Sequence, residues 1–172
     1  MLDIKGKKII IDAGPDFRYQ MLRSQVKDLR AILLTHGHKD HIGGLDDVRA
    51  FNWVKQGAVD VYGNEGTREV VYKDFSYAFA AFRYPGVPEI NYHVIDDRPF
   101  YIDDIQVVPI PVLHYKMPVL GFRIGNFAYI TDAKTIPASS MERLKGVEYL
   151  VINALRKELH MSHFNLEEAL TM

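Results

Sequence analysis

The stretch Ala31-Ile32-Leu33-Leu34-Thr35-His36-Gly37-His38-Lys39-Asp40-His41-Ile42-Gly43-Gly44 decides how this chain is read. An apolar run of strand length leads straight into four potential metal ligands, His36, His38, Asp40 and His41, within six residues. His36 and His38 alternate along an extended backbone, so both can point to one side. Asp40 and His41 follow as the chain turns and can face a second ion beside the first. Imidazole and carboxylate donors together suit zinc, manganese or iron. A solvated histidine-rich loop is the plain alternative, but an apolar strand leads in and Gly43-Gly44 leads out.

Working outward, 172 residues make one domain by length, 1–172, with room for a substantial core. The apolar fraction of 48% is ordinary for a globular protein. A net charge of −1, from 21 basic and 22 acidic residues, speaks against an overall basic nucleic-acid binder. The chain has no cysteine, which excludes disulfides and a thiolate metal site. No run reaches the length of a membrane span and no signal peptide is visible, so a cytoplasmic protein without a membrane partner is expected.

Lys7 to Gly14 reads as a strand ending in a glycine turn, and Phe17 to Leu22 as a short helix. From Ile42, apolar residues recur at Leu45, Val48 and Phe51, which predicts an amphipathic helix packed on a sheet. Val59 to Gly63 is a strand, and Asn64 can cap the helix that follows. Tyr72 to Tyr84 is crowded with aromatics, suited to core packing, a dimer interface or a pocket wall. Ile102 to Pro111, Leu120 to Ile124 and Phe127 to Thr131 predict three more strands, with Gly125-Asn126 as a hairpin turn. Pro137 to Lys145 reads as helix, Tyr149 to Asn153 as a buried strand, and the tail from Asn165 as a capped helix. Strands and helices alternate with hairpins mixed in, which gives an α/β class on mixed sheets.

Thr35 to Gly44 resembles the His-x-His-x-Asp-His signature of the metallo-β-lactamase-fold hydrolases. The resemblance implies an αββα sandwich with a one- or two-metal site at one edge of the sheets. It makes His114, after Pro111-Val112-Leu113, and Asp132, after Tyr129-Ile130-Thr131, metal ligands, the aspartate commonly bridging both ions. Taken alone, a histidine at a strand end is more often an ordinary surface or core residue, and an aspartate before alanine can simply cap a helix. Asp12 resembles the family's outer carboxylate, which orients a ligand histidine. It can equally close the Asp-Ala-Gly turn. His163, in His160-Met161-Ser162-His163-Phe164-Asn165, matches a catalytic histidine of the cyclic phosphoribosyl phosphodiesterase and ribonuclease Z branches. There it acts as a general acid on the leaving oxygen. His160 reads as a loop residue or a neighbour in the pocket.

The family also carries strands before Lys7 and a final strand whose histidine is a seventh ligand. The chain is therefore expected to be truncated at both ends, with six ligands: His36, His38, Asp40, His41, His114 and Asp132. The resemblance implies two divalent ions, zinc or manganese foremost, with iron also admitted. It implies a phosphodiesterase acting on a small cyclic or nucleotide-like phosphodiester through an activated hydroxide that Asp40 orients. A ribonuclease Z-type nuclease is the alternative, although the basic surface and substrate-clamping arm it needs are not apparent. A truncated, inactive fold serving as a binding module is the other. Members of the superfamily are often dimers.

Overall fold

Three consecutive fully buried residues place Ala31–Leu33 at the centre of a sheet, where parallel strands read as continuous apolar runs rather than alternating ones. A computed structural model describes residues 1–172 and divides them into two compact units, Met1–Ile95 and Asp96–Met172. In the first unit, β1 (Leu2–Ile4) and β2 (Lys7–Ile11) form an antiparallel hairpin. Its Lys5-Gly6 turn has positive φ at both residues, the geometry that matches strand twist. Strands β3 (Ala31–Leu33), β4 (Val59–Gly63) and β5 (Ile90–Val94) then add in parallel, in the order β1-β2-β3-β4-β5. The core unites Ile10, Ile32, Val59 and Val61 of the sheet with Phe17 and Met21 of α1 (Phe17–Arg23).

The amphipathic helix expected from Ile42 to Phe51 is broken into α2 (Lys39–Ile42), a 3₁₀ turn (Leu45–Val48) and α3 (Arg49–Lys55). Gly44 causes the break. Its amide donates to the Ala13 carbonyl at 2.7 Å instead of continuing the helix. A Cβ there would lie 2.3 Å from the Gly14 carbonyl oxygen and 2.5 Å from Phe17 Cβ, so only glycine allows this approach. Leu45, Val48 and Phe51 still bury, as their periodicity predicts. Asn64 caps α4 (Glu65–Asp74) by accepting from the Thr67 amide at 2.8 Å. Beyond it lies α5 (Ser76–Phe79). In the aromatic segment Phe75 is buried and Tyr72 stacks on Phe79, whereas Phe82 and Tyr84 are exposed. Packing, not a continuous aromatic wall, accounts for its inner half.

The second unit is a five-stranded sheet of order β10-β9-β8-β7-β6. The strand expected from Ile102 divides at an Asp103-Asp104 turn into β6 (Phe100–Ile102) and β7 (Ile105–His114). β8 (Met117–Ile124) and β9 (Phe127–Ile130) complete an antiparallel meander with the expected Gly125-Asn126 turn. Helix α6 (Ala138–Leu144) crosses over to β10 (Tyr149–Ile152), which runs parallel to β9. β10 is not the buried strand its composition suggests: it is the sheet's edge, with Tyr149, Leu150 and Val151 exposed. Helix α7 (Leu166–Leu170) starts with a full capping box between Asn165 and Glu168. No helix is long and apolar enough to cross a membrane.

A polar cluster ties together the strands of the first sheet. Asp60 of β4 accepts from Arg30 at 2.7 Å and Asn91 at 3.0 Å, and pairs with His93 at 2.9 Å. Burial pushes the Asp60 pKa up, but the His93, Arg30 and Asn91 hydrogen bonds and the Lys55 charge outweigh it and hold the carboxyl at about 2. Because the folded value lies below the ordinary one, its stabilisation is present above about pH 4 and is lost as pH falls toward 2. Asp60→Asn is expected to cost about 1 kcal/mol at neutral pH after solvent screening. In urea denaturation at a series of pH values, the gap from wild type should close as pH falls toward about 2.

Candidate metal centre

The first group of donors is shaped by Asp12, at the end of β2. Its backbone is left-handed, with φ 60°, a conformation aspartate tolerates better than most residues. Its carboxylate accepts from the Thr35 amide at 2.8 Å and the Thr35 hydroxyl at 2.8 Å, and it meets His41 Nδ1 at 2.7 Å. Burial raises the Asp12 pKa, against the pull of His41 and Thr35. A carboxylate oxygen accepts, so His41 Nδ1 carries the hydrogen and Nε2 is the nitrogen that could ligate a metal. The Thr35 hydroxyl spends its one hydrogen on Asp12 and stands 3.0 Å from His36 Nδ1, which then donates to it. His36 Nε2 is thereby the nitrogen that could ligate a metal as well. Asp12 thus orients His41 directly and His36 through Thr35.

The two pairs of donors have the right spacing. Two ligands of one tetrahedral ion with bonds of about 2.0–2.1 Å stand about 3.3 Å apart. His36 Nε2 and His38 Nδ1 are 3.0 Å apart, and His41 Nε2 and Asp40 Oδ2 are 3.5 Å apart. His38 is the extended residue that opens α2, and Asp40 lies in the first turn of that helix, largely exposed. Gly37 lets α4 pack on the motif, since a Cβ there would meet the Val70 side chain at 2.9 Å. His36 and His41 are buried. Lys39 points instead to Asp74, at 2.6 Å.

The second unit gathers another donor group. His114 ends β7, and its Nδ1 donates to the Ser162 carbonyl at 2.9 Å, which leaves Nε2 as the nitrogen that could ligate a metal. Asp132 follows β9 with a left-handed φ of 53°. His114, Asp132 and His163 each offer an atom within 4.8 Å of the others'. His163 Nδ1 stands 3.8 Å from Asp132 Oδ1, and the His163 ring 4.5 Å from that of His114. His160 Nδ1 accepts from the Ser162 amide at 3.3 Å, with its ring 5.1 Å from that of His163. The donor chemistry and spacing of both groups fit divalent ions.

Beyond Asp12, sequence reasoning did not single out the residues that orient these donors. Thr35 is one, a fully buried hydroxyl directly before the motif. Asn153 is another. Its side chain clamps Ala133, accepting from the amide at 2.8 Å and donating to the carbonyl at 3.1 Å, and so fixes the chain beside Asp132. Phe164 donates its amide to the same carbonyl at 2.8 Å, which seats the residue next to His163. A polar side chain placed where an apolar strand ends was the available signal for both Thr35 and Asn153.

Residues 7–172 match a beta-lactamase superfamily domain. An octanoyltransferase from Porphyromonas gingivalis is 41% identical over 167 residues, covering 96% of this chain and 34% of that protein. A ribonuclease Z from Nostoc punctiforme is 30% identical over 121 residues, covering 68% of this chain and 37% of the relative. The crystal structure of a diphosphatase from the PhnP family superposes with a TM-score of 0.89 at 37% identity, over 98% of this chain and 64% of that one. The chain spans about a third of the length of these curated relatives.

Thr35→Val keeps the shape of the side chain and removes the hydroxyl between Asp12 and His36. It is expected to weaken metal binding by roughly 10–100-fold, read by competition with a chromophoric chelator, while the circular dichroism spectrum stays that of the parent.

Proposed function

We propose that this chain, which belongs to the beta-lactamase superfamily, acts as a metal-dependent phosphodiesterase on a small cyclic or nucleotide-like phosphodiester. The observation that carries the reading is its likeness, along nearly its whole length, to the PhnP-family diphosphatase. The metallo-β-lactamase fold and the donor groups support it. His36, His38, Asp40, His41, His114 and Asp132 would hold two divalent ions, zinc or manganese by donor type, with iron also suited. When bound, such ions lower the pKa of water toward neutrality and offset charge that builds on a phosphate.

The chain's own residues do the rest. Asp40, with its side chain 75% exposed, orients the attacking oxygen in this reading. Asp12 and Thr35 hold His36 and His41 in their ligating tautomers. His163 delivers a proton to the departing oxygen. His160 keeps a loop role, accepting from Ser162. The protein is read as cytoplasmic.

Nuclease action of the ribonuclease Z kind is the second reading, favoured by the Nostoc relative. The near-neutral charge argues against a long polyanionic substrate. The acyl-transfer name of the Porphyromonas relative describes a protein about three times the length of the aligned region. This chain has no cysteine to carry an acyl thioester.

Elemental analysis of the purified chain should find about two ions per chain, with hydrolysis of bis(p-nitrophenyl) phosphate that a chelator abolishes. Turnover without metal would overturn the reading, and cleavage confined to precursor tRNA would put the nuclease in its place. His163→Ala should lower kcat by about 10²–10⁴ with metal content intact. Loss of an ion in that variant would make His163 a ligand instead of an acid.

A further inference from the structure

His163, the proposed proton donor, lies in an irregular stretch between β10 and α7, outside any strand or helix. Contacts from the segments that carry His114 and Asp132 seat it there. On one side of His163 the Ser162 carbonyl accepts from His114 Nδ1 at 2.9 Å. On the other side the Phe164 amide donates to the Ala133 carbonyl at 2.8 Å, and the Phe164 ring is buried in the core. Asn165 then opens α7. Its amide donates to Glu168 Oε2 at 2.9 Å, and its side chain accepts from the Glu168 amide at 2.8 Å.

Lys134 joins these pieces. Its amide donates to the Leu113 carbonyl at 2.8 Å, which fixes it beside the residue that precedes His114. It follows Asp132 by two positions. Its ammonium donates to both carboxylate oxygens of Glu168, at 2.6 and 2.8 Å. The two side chains are 23% and 32% exposed, so water screens this pair less than one on an open surface. A capping box asks only for an acceptor oxygen at this position, which glutamine supplies as well as glutamate. The charge of Glu168 is thus surplus to the cap, and the cation it meets is Lys134. We propose that Lys134 and Glu168 are positioning residues for His163, their ion pair locking its loop to the segments that bear His114 and Asp132. A shift of about 1 Å in that loop would take the proton donor out of line with the departing oxygen, an error able to cost about 100-fold in rate. The role of His163 rests on the phosphodiesterase reading; the lock itself does not.

Two substitutions separate the ion pair from the cap. Glu168→Gln keeps the acceptor oxygen and removes the charge, and Lys134→Met removes the cation and keeps the backbone bond to Leu113. In both, the Phe164 amide should exchange with solvent roughly 5- to 10-fold faster by NMR, while the amides of β8 keep the parent's rates. Lys134→Arg, which can also bond both carboxylate oxygens, should restore the parent's exchange. With a 2′,3′-cyclic nucleotide, whose ribose oxygen leaves as an alkoxide, both variants should lose roughly 10- to 100-fold in kcat, with KM and metal content unchanged. Hydrolysis of bis(p-nitrophenyl) phosphate, whose leaving group departs more readily without a proton, should fall less. Parental exchange in both variants would overturn the proposal, and so would faster exchange with an unchanged kcat on the cyclic nucleotide. A wild type inactive on both phosphodiesters would remove the phosphodiesterase reading instead, and the exchange rates would then decide the lock by themselves.

Discussion

The Asp12 carboxylate is the point on which the first donor group depends. Its side chain, 10% exposed, lies just after β2 and receives three hydrogens, two from Thr35 and one from His41. Those bonds decide which nitrogen of His41 carries its proton and, through the Thr35 hydroxyl, which nitrogen of His36 does. A ligand histidine without such a partner could rotate or change tautomer, and its lone pair would point elsewhere. Burial raises the pKa of this carboxyl, and the hydrogen bonds from His41 and Thr35 oppose that rise in part.

Asp132 repeats one feature of Asp12. Each follows a strand and takes a left-handed backbone that costs a non-glycine residue energy. Each is fixed by bonds from a different stretch of chain: Asp12 by Thr35, and the chain at Asp132 by the Asn153 clamp on Ala133. Strain of this kind persists only where the surroundings over-determine it, and here it turns two carboxylates out of the strand direction. The same fold carries relatives named as a diphosphatase and a nuclease, so chemistry and fold are separate questions. The donors are set by strand ends, whereas substrate choice falls to whatever surrounds them.

The contiguous motif was legible because its donors sit next to one another in sequence and follow an apolar strand. His114 and Asp132 were not legible alone; only their order after the motif, in a chain resembling a known family, marked them. The break at Gly44 could not be read from the periodicity of Leu45, Val48 and Phe51. It arises from contact with Gly14, far away in sequence, and the helical pattern persists on both sides of it. β5 escaped notice because Asn91 and His93 interrupt its apolar character to serve Asp60. β10 was misread for the opposite reason: Tyr149, Leu150 and Val151 have core composition, but they form the edge of a sheet. Composition reports how much apolar surface a strand has, not whether a neighbour covers it.

The bonds that shape the first donor group join residues far apart along the chain: Asp12 to Thr35 across 23 positions and Asp12 to His41 across 29. None of them can exist before β2 and β3 lie side by side. Closing such loops costs entropy that only the assembled core repays. The His36–His41 segment is therefore a poor chelator as a nascent peptide. Its donors become directed only when the sheet closes, so any ion held there would be taken up late in the life of the polypeptide, as a reward of folding rather than its template.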